Sequence, residues 1–174
     1  AMVASATCPY YESLGDYMKF GYAPFDKSGT AASNTLEYSF DDWTIYNAAK
    51  QLGMDDVAKQ FEKRALYYRN TFDKNVGFAS PRYSDGSFKK DLDPYQTSGE
   101  GFIEGNSWNF SFQAPQDVFG LISLFGGDKA FIGKLDKLFE MDLPAKYYEH
   151  NEDVTIDCLV GAIVRRQLLR WRHP

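Results

Sequence analysis

Residues 39–72 read SFDDWTIYNAAKQLGMDDVAKQFEKRALYYRNTF. Two apolar series at helical spacing flank a single glycine. Trp43, Ile45, Tyr46, Ala49 and Leu52 precede Gly53, and Val57, Phe61, Ala65, Leu66 and Tyr68 follow it. That spacing gives each helix one apolar stripe. Ser39 or Asp41 is placed to cap the first helix, and Asp55 the second, which is expected from Asp56 to Phe72. So short a connection makes the two helices an antiparallel hairpin.

A second pair follows the same logic. One helix is expected from about Gln116 to Phe125. Asp128 caps another, Lys129 to Phe139, with Phe131, Ile132, Leu135, Leu138 and Phe139 apolar. Upstream, PYYESLGDYMKF (9–20) reads as one short helix that Gly21 to Pro24 ends, and 25–33 is loop by composition. Residues 73–99 carry Gly, Pro, Asp and Ser at short intervals, with turn signals at Asn75-Val76-Gly77 and Asp85-Gly86; a long loop or small hairpin is expected there. Residues 141–157 read as loop. Cys158 to Trp171 reads as a last helix, locally basic through Arg165, Arg166 and Arg170. The expected fold is all-α and a single domain over 1–174. Its helical hairpins form part of an α/α toroid, (α/α)6-barrel-like, with the loops gathered around one mouth.

The net charge is −5, which argues against a nucleic-acid partner. No apolar run reaches the length of a membrane span, and the first residues lack the pattern of a signal peptide. Aromatic residues make up 17% of the chain, enough for a ring-lined groove as well as a core. Cys8 and Cys158 lie near opposite ends; they specify neither a disulfide framework nor a metal site.

The chemistry concentrates in Gly101–Gly127, GFIEGNSWNFSFQAPQDVFGLISLFGG. Glu104 sits between two glycines, with Asn106, Trp108, Phe110 and Phe112 after it. Rings can stack on a pyranose, amides can bond its hydroxyls, and an acid in apolar surroundings keeps its proton near neutral pH. The same stretch also reads as a glycine-punctuated loop into a core helix, with Glu104 solvated. Glu100 is nearby, and Glu37, Asp41, Asp42 and Trp43 fall in TLEYSFDDW. Glu104 with Asp41 or Asp42 would form the pair of an inverting glycosidase if their carboxyls stood roughly 6.5–9.5 Å apart. Alternatively, Asp41 and Asp42 occupy a first helical turn, where the helix dipole favours acids. DLD at 91–93 and NED at 151–153 are oxygen-rich but lack the spacing of a calcium loop. His150 and His173 have no partner at zinc-ligand spacing. Neither a phosphate loop nor a nucleophile elbow is present.

These blocks, in this order, resemble glycoside hydrolase family 92, the calcium-dependent inverting exo-α-mannosidases. LGDYMKFGYAPFD, TLEYSFDDWTIYNAAKQLG, FEKRALYYRNTFD, FIEGNSWNFSFQAPQDVFGLISLFGG and LDKLFE carry the resemblance over roughly residues 10–161. It implies hydrolysis of terminal α-mannosides of glycans in the complete enzyme, with Glu104 in the place of the general acid. Asn106 and Trp108 fall at pocket-shaping positions, and Glu37, Asp41, Asp42 and Trp43 in a characteristic block. Asn109 and Gln116 depart from the family's Gln and His. The blocks that carry the family's calcium ligands and catalytic base have no counterpart, so a partial catalytic domain, inactive by itself, is expected. The family is mostly exported, which implies a secreted or periplasmic setting. A non-catalytic glycan-binding or assembly module is the alternative, self-associating through helix faces that an open toroid leaves bare.

Overall fold

The computed structural model describes residues 1–97, 99–141 and 144–147. Its order is α1 (Met2–Ala6), α2 (Leu14–Phe20), α3 (Ala31–Gln51), α4 (Asp55–Ala65), a 3-10 turn (Tyr67–Thr71), β1 (Phe72–Asp73), β2 (Phe78–Ala79), α5 (Ser107–Phe110), a 3-10 turn (Pro115–Asp117), α6 (Val118–Phe125), α7 (Asp128–Glu140) and a last 3-10 turn (Ala145–Tyr147). The helix expected over 158–171 lies outside the described residues.

The hairpin of α3 and α4 is the backbone of the fold. Gly53 closes it with φ +67, the left-handed conformation that glycine adopts freely. Met54 N bonds Ala49 O at 2.9 Å and Gly53 N bonds Lys50 O at 3.3 Å, a Schellman closure.

Helix α3 begins at Ala31, about two turns earlier than the expected cap at Ser39 or Asp41. The polar residues that suggested a cap are absorbed into the helix. Thr35 Oγ1 donates to Ala31 O at 2.9 Å, and Ser39 Oγ to Thr35 O at 2.6 Å. Asp41 and Asp42 are therefore mid-helix residues, and the first-turn reading of them is corrected. Helix α4 is shorter than expected: it stops at Ala65 and tightens into the 3-10 turn. Of the helix expected over 9–20, only Leu14–Phe20 forms, with Ser13 left-handed at its start. The second hairpin, α6 and α7, forms about as expected. Asp117 caps α6 by accepting from Gly120 N at 3.0 Å, and Gly127 precedes α7 without a side-chain cap.

Within 73–99 the small hairpin is real. Phe72 pairs with Ala79 and Asp73 with Phe78 in an antiparallel ladder that turns at Gly77, and an isolated bridge joins Arg82 to Phe88. The core lies where α3, the β pair, α5 and α6 meet: Leu36, Tyr68, Ala79, Phe102, Ala114 and Leu121 pack there. Beyond it α6 and α7 keep an apolar face in solvent. Phe119 is 88% exposed, and Val118, Ile132 and Phe139 are exposed beside it.

Candidate active site

The turn carrying Glu104 is seated on the start of α3. The first amides of a helix have no partner within it. Ala32 N and Ser33 N give theirs to Gly101 O at 3.0 and 3.2 Å. Ser33 Oγ accepts Ile103 N at 3.0 Å. Glu104 follows with φ +51, and among the described residues only Ser13 and Glu104 are non-glycines with positive φ. Gly105 is packed so closely that a Cβ there would lie 2.7 Å from Phe110 Cε2, so any side chain at this position would have to displace the Phe110 ring. The Glu104 side chain is exposed rather than set in apolar surroundings, which corrects that part of the expectation.

Asn106 anchors the turn from its far side. It is the N-cap of α5: its Oδ1 accepts Asn109 N at 3.2 Å, Asn109 Oδ1 accepts Asn106 N at 3.4 Å, and its Nδ2 donates to Tyr95 O at 3.2 Å. Trp108, 4% exposed, lies beneath, edge-on to Phe78 with centroids 4.8 Å apart. Lys134 covers both rings, its Nζ 3.4 Å from the Phe78 centroid and 4.8 Å from that of Trp108. Burial, with Lys137 nearby, pushes the Lys134 amine down to about 8.

The residues of TLEYSFDDW separate. Glu37 is one turn beyond Ser33 on the same face of α3 and accepts a hydrogen bond from Gln113 Nε2. Trp43 stacks on Phe40 with centroids 5.7 Å apart. Asp41 is exposed, its carboxyl raised by partial burial and by Glu37. Asp42 is nine residues from Ser33, about 13 Å along the axis and half a turn around it. It is 1% exposed. Its Oδ2 accepts Arg64 Nε at 2.8 Å and Tyr17 OH at 2.7 Å. Burial pushes Asp42 up to about 6 against the pull of Arg64, and pushes the Tyr17 phenol well above its ordinary range. The structure thus brings Glu37, not Asp42, to the Glu104 side of α3, and Asp42 is committed to a buried ion pair.

Arg64 and Tyr17 were not singled out from the sequence. The hairpin register gives the signal for Arg64: residues 42 and 64 stand eleven places either side of Gly53, so they face each other. Of the other acids, Glu100 pairs with Lys89 at 2.9 Å, and Asp93 accepts Tyr147 OH at 2.9 Å. Asp117 accepts from Tyr68 OH at 2.9 Å and from Arg69, bonds that outweigh its partial burial and hold it low. Among the described residues no three His, Cys, Asp or Glu side chains gather where a metal ion could bind. NED, both histidines and Cys158 lie outside the described residues; Cys8 is a free thiol. No described helix is long and apolar enough to cross a membrane.

The sequence profile of the glycosyl hydrolase family 92 catalytic domain matches residues 1–158. An uncharacterized secreted glycosidase of Arthroderma benhamiae is 27% identical, over 75% of this chain and 20% of its own length. A family 92 α-mannosidase of Bacteroides thetaiotaomicron, solved with mannoimidazole, superposes with a TM-score of 0.79 at 34% identity, over 82% of this chain and 20% of that one. An inverting family 92 mannosidase of the same bacterium gives 0.76 at 29% identity, over 87% and 21%. The chain spans about a fifth of the length of these relatives. Its helices are part of the α/α toroid of that catalytic domain. All three relatives are glycosidases, which gives the reading as a binding or assembly module no support. From the matched profile and the shared helical frame, the chain belongs to glycosyl hydrolase family 92.

Proposed function

We propose that this chain carries the acid side of an inverting α-mannosidase site, with Glu104 protonating the leaving oxygen of a terminal α-mannoside. The observation that carries this is the Glu104 backbone. A glutamate in the left-handed region costs on the order of 1 kcal/mol, and such strain collects where function requires it. Here it is held from both sides, by the α3 amides on Gly101 O and by the Asn106 cap. Family membership supports the assignment, since Glu104 stands where the family resemblance puts the acid. Glu37 lies on the same side of α3, and Asn106 and Trp108 shape the turn from beneath.

Inversion needs a second carboxyl across the sugar to activate water. Asp42 is spent on Arg64 and Asp41 lines a cleft with Met2, Tyr38 and Ile45, so that base is assigned to parts of the family domain that this chain does not span. Calcium, expected for the complete domain, finds no site among the described residues, and no step here runs through it. The secreted Arthroderma relative supports export of the whole protein. The apolar face around Phe119 is where further toroid helices, or a second copy, would pack.

The test is leaving-group dependence in a form of the protein spanning the whole family domain. Glu104→Gln should slow mannobiose hydrolysis by about 10²–10⁴-fold, the usual worth of a general acid. An aryl mannoside with a strongly acidic phenol should lose far less, because its leaving group needs no proton. Equal losses on both substrates would remove the assignment.

A further inference from the structure

The Glu104 carboxylate is exposed, and no described side chain bonds it. Its place therefore follows from the backbone that carries it. Asn106 holds that backbone on the far side. On the near side Ile103 is 53% exposed, so packing of its side chain does little to fix it. A single polar contact does so instead: Ile103 N donates to Ser33 Oγ at 3.0 Å.

Ser33 is suited to this task. It is 1% exposed and lies in the first turn of α3. Its hydroxyl is not spent on capping, since no side chain caps that helix. The same residue gives its own amide to Gly101 O at 3.2 Å, so one serine grips the turn at 101 and at 103. A glutamate at φ +51 persists only while the surrounding chain is held. Without the hydroxyl, the Ile103 amide loses its acceptor and the backbone leading into Glu104 is freed. We infer that Ser33 is a positioning residue for the acid: its hydroxyl, acting through Ile103 N, sets where the Glu104 carboxyl meets the leaving oxygen. This rests on the reading of Glu104 as the general acid.

The test compares Ser33→Ala with a matched variant in a form of the protein spanning the whole family domain. Thr35 is the match. It is equally buried on α3, and its Oγ1 accepts Ala23 N at 2.8 Å, a bond of the same kind to another segment. Thr35→Val removes that bond at nearly constant size. Ser33→Ala should lower kcat on mannobiose by about 10–10²-fold with KM held, the scale of a misplacement of roughly 1 Å. An aryl mannoside with a strongly acidic phenol should be cleaved nearly as before. Thr35→Val should show no such selectivity. Glu104→Gln is run beside them. Selective loss in Glu104→Gln but not in Ser33→Ala would overturn this inference alone; selective loss in neither would remove the acid assignment with it. Amide hydrogen exchange in the 174-residue chain gives a second reading that needs no activity. Ser33→Ala should speed exchange at Ile103 by about tenfold relative to the amides of α4, the worth of one hydrogen bond. Unchanged exchange at Ile103 would show that the hydroxyl does not hold the turn, and would overturn the inference.

Discussion

Asp42 on α3 and Arg64 on α4 join 2.8 Å apart across the hairpin, each eleven residues from the glycine that turns it. Tyr17 of α2 donates to the same carboxyl oxygen, and Arg64 reaches on to Ala6 of α1. One buried pair thus ties four helices. Removing one partner of such a pair strands the other charge, typically at about 3–5 kcal/mol, whereas replacing both with apolar residues is far milder. Arg64→Met should cost that much in urea unfolding at pH 8. The double variant Asp42→Leu/Arg64→Met should cost clearly less than Arg64→Met alone. A double variant as unstable as the single, or worse, would contradict this.

The same pair sets a pH dependence. Burial pushes the Asp42 carboxyl up to about 6 in the folded chain, above its ordinary 3.8. Between these pH values the folded state binds a proton that the unfolded state has released. The contribution of this group to stability therefore falls as pH rises from about 4 to 6, and is level above that. The carboxyl carbon of Asp42, followed by NMR, should show a midpoint near 6. A midpoint at or below 4 would mean that Arg64 outweighs burial.

Asn106 joins the stability of the fold to the site. Asn106→Ala removes the oxygen that caps Asn109 N on α5 and leaves Tyr95 O without its donor, while the return bond from the residue-106 amide to Asn109 Oδ1 stays. A lost cap costs about 0.5–2 kcal/mol, and the buried position puts this one at the upper end. Thermal unfolding should show the loss. Asn106→Asp, which keeps the accepting oxygen, should recover part of it; no recovery would mean that the Tyr95 contact, not the cap, matters.

The 174 residues alone are expected to hydrolyse neither an aryl α-mannoside nor mannobiose above background. An acid without an opposed base leaves water unactivated. Turnover that disappears in Glu104→Gln would show that the chain supplies its own base.

The helical frame was legible because two apolar stripes meet at Gly53 and two more at Gly126-Gly127. Where the sequence misled, polar side chains were the cause. Ser39 and Asp41 look like a cap, but a serine bonded back to its own helix and an exposed aspartate sit as well in the interior of a helix, and the neighbouring Asp42 is matched there by the distant Arg64. Spacing within one helix does not report that match; it appears only when α3 is folded against α4 about Gly53, which sets residues 42 and 64 opposite each other. Glu104 was legible as a candidate from its neighbours. Its exposure and its left-handed backbone were not, since both follow from the turn docking on α3.

That backbone gives the sharpest contrast between stability and function. A residue kept at φ +51 for packing alone would be better as glycine, which reaches that region without the Cβ clash. Glycine also loses more entropy on folding, which offsets part of the gain. Glu104→Gly should therefore leave the chain as stable as before, or more stable by up to about 1 kcal/mol, a rise in Tm of roughly 2–4 °C at this size. In a domain-length form the same change should abolish acid-dependent mannoside cleavage. Greater stability with lost activity is the signature of a strained residue retained for chemistry. A fall of more than about 1 kcal/mol would instead show that the Glu104 side chain holds the turn together, and its place at the site would then be structural.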